Sequence, residues 1–183
     1  MNKNYTSNIG IIFDVLVYGL FAIILTVLQT TLVPRMPIYD ATFDILIGAI
    51  AFLGIYRGEK TAALFGLFAG LCIDGLNSVG VSFLPLFYCI GGFVCGNIGK
   101  AAKENARFAA FLVTIPAFCF CRTLITFVKY LIEYKNALDY AYYGLHIALP
   151  EFVSTLVLCI PMFFISRIFD SPLMYARKKG WLY

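Results

Sequence analysis

Leu64-Phe65-Gly66-Leu67-Phe68-Ala69-Gly70-Leu71-Cys72-Ile73-Asp74 is apolar until one acid closes it, and its two glycines stand one helical turn apart. Glycines at i and i+4 leave a groove along one helix face. A neighbouring helix can then approach closely and gain van der Waals contact, the main attraction available inside lipid. A second pair with the same spacing, Gly92 and Gly96, follows in a later apolar block. The stretch predicts helix packed on helix in a membrane.

The surrounding chain agrees. Of its 183 residues 61% are hydrophobic and 13% charged, against about 45–50% and about 25% in soluble domains. The apolar residues recur in blocks, more than a soluble domain of this size could bury. They define six passages, near 11–33, 43–56, 61–76, 79–99, 107–131 and 147–169, in one membrane domain over 1–183. The first holds an uncharged run from Val15 to Pro34, about the length a spanning helix needs. No small-x-small cleavage site follows, so it reads as a retained span and not a signal peptide. The second and third blocks are short for a hydrocarbon core of about 30 Å at about 1.5 Å per residue. They read as thinly covered spans or a re-entrant hairpin, and parity is the same either way. The expected fold class is all-α, a polytopic bundle of six transmembrane helices.

Charge supplies the orientation. With six passages the N-terminus, the 57–60 turn, the 100–107 loop and the tail share one side. That side carries Lys3, Arg57, Lys60, Lys100, Lys103, Arg107, Arg167, Arg177, Lys178 and Lys179, ten of the fourteen basic residues. The positive-inside rule then makes both termini cytoplasmic. The net charge of +4 reports this orientation and needs no nucleic acid to explain it. All six cysteines fall within apolar blocks and read as small packing residues without a disulfide frame. Tyr130, Tyr134, Tyr140, Tyr142 and Tyr143 suit the outer headgroup region. Arg177-Lys178-Lys179 with Trp181 suits the inner one.

Nothing in the sequence resembles a catalytic constellation, and no metal or cofactor is expected. The one histidine, His146, has no Ser/Asp or Cys partner at a useful spacing. The costly residues are charges at membrane depth. Arg122 follows Arg107 by fifteen residues, about 22 Å along one helix, and Lys129 follows two turns later on the same face. An unpaired cation near mid-membrane costs about 2.5–3.5 kcal/mol or more. Asp44, Asp74 and Glu151 stand at outer ends of the expected helices, at a similar height. The expectation is an outer-leaflet polar cluster of Arg122, joined by Lys129, with Glu151 or Asp74. Pro85, Pro116 and Pro161 are expected to kink their helices or open carbonyls to a neighbour.

The order of residues is more specific than the composition. Gln29 near the end of the first span, Pro34 and Pro37 after it, and Asp44 opening the second come first. Arg57-Gly58 in the turn, then Gly66, Gly70-Leu71 and Asp74, Gly80, and Gly92 with Gly96 complete the series. This series resembles the rod shape-determining membrane protein family, MreD, over about 70 residues. Pro150 and Pro161 resemble that family's last-helix prolines, while Thr155 stands where an asparagine is common. The resemblance implies a non-enzymatic scaffold of the bacterial cell-elongation machinery in the plasma membrane. It would bind MreC and through it MreB, the transglycosylase RodA and a class B penicillin-binding protein. On this reading Gly66, Gly70, Asp74, Gly92 and Gly96 form the helix-packing surface that receives the single span of MreC. The resemblance also implies distant kinship with the substrate-binding subunits of energy-coupling-factor vitamin transporters, and the alternative function is such a subunit.

Overall fold

Residues 46 to 55 are apolar on every side, with no polar stripe to turn toward solvent, and a helix of that kind must be enclosed. A computed structural model describes residues 3–31, 43–77, 83–133 and 144–178, and in it these ten residues are all buried. They form the body of α2, Leu46–Arg57. Around it pack α1 (Lys3–Thr31), α3 (Glu59–Asn77), α4 (Leu84–Ala101), α5 (Arg107–Glu133) and α6 (Leu149–Lys178). Short connecting turns run over Glu104–Ala106 and Gly144–Ala148. The fold is all-α, with no strand among the described residues.

Small residues let α2 serve as the axis. A Cβ on Gly48 would lie 2.9 Å from Met162 Cβ on α6, and one on Gly54 would lie 2.7 Å from Cys95 Cβ on α4. At 12 residues α2 is only about 18 Å long. A helix enclosed by protein has no need to match the thickness of lipid.

Side-chain contacts fix the directions. Asp44 meets Tyr88, Arg122 and Thr155 at one end, while Tyr56 meets Arg107 and Phe163 at the other. Successive helices therefore alternate in direction. The tightest turn is Gly58, the single residue between α2 and α3. Its φ of 101° and ψ of 171° lie where side-chain-bearing residues are strained, and its N–H caps α2 through Leu53 O and Gly54 O. Gly58→Ala should cost about 1–3 kcal/mol in unfolding measurements although nothing lies within 4 Å of the new methyl. An unchanged stability would contradict this.

Element ends depart from the expected passages in both directions, with α2 and α4 beginning at Leu46 and Leu84 where 43 and 79 were expected. α1 begins at Lys3, well before 11, and α6 runs to Lys178, nine residues past 169. Apolar content marks where a helix suits lipid, whereas backbone hydrogen bonding sets where it stops, and both helices continue through polar sequence. Pro85 is also corrected. It sits in the first turn of α4, where a missing N–H is tolerated, so it kinks nothing. Pro116 and Pro161 do lie inside α5 and α6.

At the Gly58 end, Glu59 of α3 accepts a 2.6 Å hydrogen bond from Lys100 of α4. That bond favours the ionised carboxyl and holds it below its ordinary value of 4.5. A depressed folded pKa contributes stability that is complete above the unfolded pKa and is lost as pH falls through the folded one. Acidification below pH 4.5 should therefore remove a small increment of thermal stability, small because the pair is exposed, and Lys100→Ala should lack that increment. An identical acid response in parent and variant would rule the pair out as its source.

Candidate functional site

Two constructions hold the residues singled out by sequence. The first is the seam between α3 and α4. An added Cβ at Gly66 would stand 2.5 Å from Tyr88 O, at Gly70 2.4 Å from Pro85 Cα, at Gly92 2.6 Å from Ala62 O, and at Gly96 2.2 Å from Glu59 Cα. Each glycine of one helix thus receives the backbone of the other, and Gly99 receives Ile55 of α2 in the same manner at 2.5 Å. This corrects the expectation of an open glycine-lined surface. The grooves are filled by the chain's own helices, because the α3 pair faces Tyr88 and Pro85 of α4 and the α4 pair faces Ala62 and Glu59 of α3.

The second is a polar knot at the opposite end, centred on Asp44. Its Oδ1 accepts from the backbone N–H of Leu46 at 3.0 Å and so caps α2. Its Oδ2 accepts from the Tyr88 hydroxyl and from Arg122 Nε, the latter at 3.3 Å. The backbone N–H of Asp44 donates to Thr155 Oγ1 at 3.0 Å. Arg122 Nη1 reaches one turn forward to donate to Thr126 Oγ1 at 2.7 Å. Gln29, from α1, donates to Phe43 O at 2.7 Å and accepts from Ile45 N–H at 2.9 Å, so its amide clamps the peptides on both sides of Asp44. Five helices are tied to this one short segment: α1 through Gln29, α2 by the cap, α4 by Tyr88, α5 by Arg122 and α6 by Thr155.

The ion pair of Arg122 thus falls on Asp44, with side-chain exposures of 20% and 4%, and not on Glu151 or Asp74 as expected. The reason is packing. α3 lies against α1, α2 and α4, which leaves Asp74 near the far end of α3 with no ion pair among the described residues. Glu151, 5% exposed at the start of α6, lies within electrostatic range of both Arg122 and Asp44 without a salt bridge to either. Lys129 lies in α5, but its side chain is outside the described residues, as are Pro34, Pro37 and Gly80 altogether. Arg57 ends α2 and Gly58 caps it.

Tyr88 and Thr155 were missed as site residues. A tyrosine amid apolar neighbours far from the expected interface, and a hydroxyl where the MreD-like pattern has an asparagine, were the available signals. Cys119 and Cys121 turn opposite ways, one buried and one exposed, and all six cysteines are free thiols. Among the described residues no group of His, Cys, Asp and Glu is arranged to hold a metal ion.

Fold and site together define an all-α protein in which, among the described residues, two stretches, Glu104–Val128 and His146–Ile168, are long and apolar enough to cross a membrane. Comparison with protein-family models, with curated proteins and with solved structures found no match.

Proposed function

We propose that this chain is a six-span protein of the bacterial plasma membrane with both termini cytoplasmic, and that it acts as a non-enzymatic scaffold of the cell-elongation complex. On this reading, which follows from the MreD resemblance, it binds the single-span partner MreC. Through MreC it connects to MreB, RodA and a class B penicillin-binding protein. The observation that carries the reading is how the motif residues are used. Gln29 and Asp44 tie helix ends together, Gly58 makes a turn, and Gly66, Gly70, Gly92 and Gly96 lock α3 to α4. Conspicuous residues spent on rigidity suit a protein that works by whom it holds.

The outside supports the same reading. Val15, Leu16 and Leu20 on α1, Leu86 and Ile90 on α4, Val113 and Phe120 on α5, and Val157 and Phe164 on α6 are all exposed. Apolar faces of this extent suit lipid and partner helices. Since the glycine seam is filled from within, the MreC span would dock on one of these outward faces.

Two measurements test the proposal. Crosslinking and co-purification from membranes should recover a single-span wall-synthesis partner, and depletion of the protein should round the cells. Recovery with a vitamin and an ATPase module would replace the scaffold with the transporter reading. A fluorescent protein fused to the C-terminus should fold and fluoresce in the cytoplasm, and an external tail would overturn the orientation.

A further inference from the structure

Leu64, Leu67, Leu71 and Asp74 follow one another at spacings of three, four and three, which draws them into one stripe along α3. The stripe faces outward. Gly66 and Gly70 take the side toward α4, Phe65 meets Phe21 of α1, and Leu64, Leu67 and Leu71 are left exposed. Because α3 and α4 run antiparallel, the step of rotation from Gly66 to Leu67 and that from Gly92 to Phe93 turn to the same side of the seam. Leu86 and Phe93 are exposed there, while Cys95 of α4 meets Gly54 of α2 on the other side. The two locked helices thus present a single apolar face, with the spacing of a seam into which another helix sets its side chains.

Asp74 closes the stripe. It is half-buried in the last turn of α3 and makes no hydrogen bond or ion pair among the described residues. An acid in that turn opposes the negative end of the helix dipole, and no basic residue shares the turn to offset it. The complement of such a carboxylate is a cation brought by another molecule. Among the described residues no other outward apolar stripe ends on an acid without a partner, so charge singles out this face from the equally apolar faces of α1, α5 and α6.

We propose that the outward face of α3 and α4 receives the transmembrane helix of the single-span partner, and that Asp74 pairs with a lysine or arginine near the outer end of that helix. The existence of the partner and the word outer rest on the function and orientation proposed above. The choice of face and of a cation rests on the stripe itself.

The test places a photocrosslinking amino acid in the full chain, in living cells, at Leu71 and in separate variants at Leu20 of α1, Val113 of α5 and Val157 of α6, all exposed positions. Mass spectrometry identifies what each captures. The Leu71 variant should capture a single-span membrane protein with a lysine or arginine at the outer end of its span, and the other three should capture far less of it. Adding Asp74→Asn should cut that capture about tenfold, the factor expected for one lost charged hydrogen bond, whereas Asp74→Glu should keep it. Asp74→Lys should abolish capture, and exchanging the partner's cation for glutamate should restore it. Purified Asp74→Asn should keep or slightly raise the thermal midpoint in detergent, because the acid that opposes the dipole is gone. A marked fall in that midpoint would mean that Asp74 serves the chain's own fold, and would overturn the proposal. Equal capture with and without Asp74→Asn, or capture at Leu71 of a second copy of this chain or of lipid alone, also overturns it. Capture of the single-span partner at Leu20, Val113 or Val157 but not at Leu71 overturns this docking face and leaves the scaffold function standing. Capture of no single-span protein at any of the four positions overturns both.

Discussion

Gly96→Ala is expected to destabilise the protein by about 3 kcal/mol or more, above the usual cost of about 1–3 kcal/mol for an overpacked core, although it adds one methyl group. That methyl would stand 2.2 Å from Glu59 Cα and 2.3 Å from Glu59 N. Both are backbone atoms of a helix and cannot swing aside, so α3 and α4 must separate along their length and lose dispersion contact throughout the seam. Since total stabilities are typically about 5–15 kcal/mol, little folded protein should survive a bulkier Gly96→Leu. Gly19→Ala is the contrast. It lies inside α1 with nothing within 4 Å of the added carbon, so helix propensity alone should make it neutral or stabilising by up to about 1 kcal/mol. Unfolding of both variants in detergent, followed by helical circular dichroism, makes the comparison. Equal behaviour would mean that the seam is not closed as described. On the scaffold function proposed above, any folded Gly96→Ala that remains should still bind the proposed partner, because the glycines serve the chain's own packing.

Asp44→Ala should be the most damaging single change among the polar residues, by about 3–5 kcal/mol, the range for breaking a buried ion pair. It removes the acceptor of three donors at once: the Leu46 amide, the Tyr88 hydroxyl and Arg122 Nε. Arg122→Met is expected to cost less. It deletes the cation that would otherwise be stranded, and Asp44 keeps Leu46 and Tyr88 as donors. The double variant Asp44→Ala/Arg122→Met should accordingly be less destabilised than the sum of the two single changes, by an interaction energy of about 0.5–3 kcal/mol. Additive losses would show that the 3.3 Å contact contributes nothing. If the Arg122 change proves the more harmful single substitution, Asp44 is not the hub of the knot.

The character of each segment was legible from local sequence, and so was the height of the charges. Helical periodicity is a property of the backbone at about 1.5 Å per residue. Counting from Arg107 to Arg122, or from Glu59 to Asp74, puts those residues at one end of the bundle without knowledge of which helices are neighbours. The same counting cannot say which acid faces Arg122. Asp44, Asp74 and Glu151 were equivalent in height, and the choice of Asp44 followed from α2 being the axis against which α4, α5 and α6 all pack. The complete burial of α2 was likewise written in its uniform apolarity, while its short length is compatible with a thinly covered span or a re-entrant hairpin.

By itself, the sequence determined an all-helical chain, the spacing that lets helices approach at Gly66, Gly70, Gly92 and Gly96, and the expense of burying Arg122. Tertiary structure alone decided that those glycines receive the backbones of Tyr88, Pro85, Ala62 and Glu59 within the same chain, and that Tyr88 and Thr155 complete the shell of Asp44. The physical reason is that spacing along a helix specifies a face, whereas what the face meets depends on the arrangement of all the other helices around it.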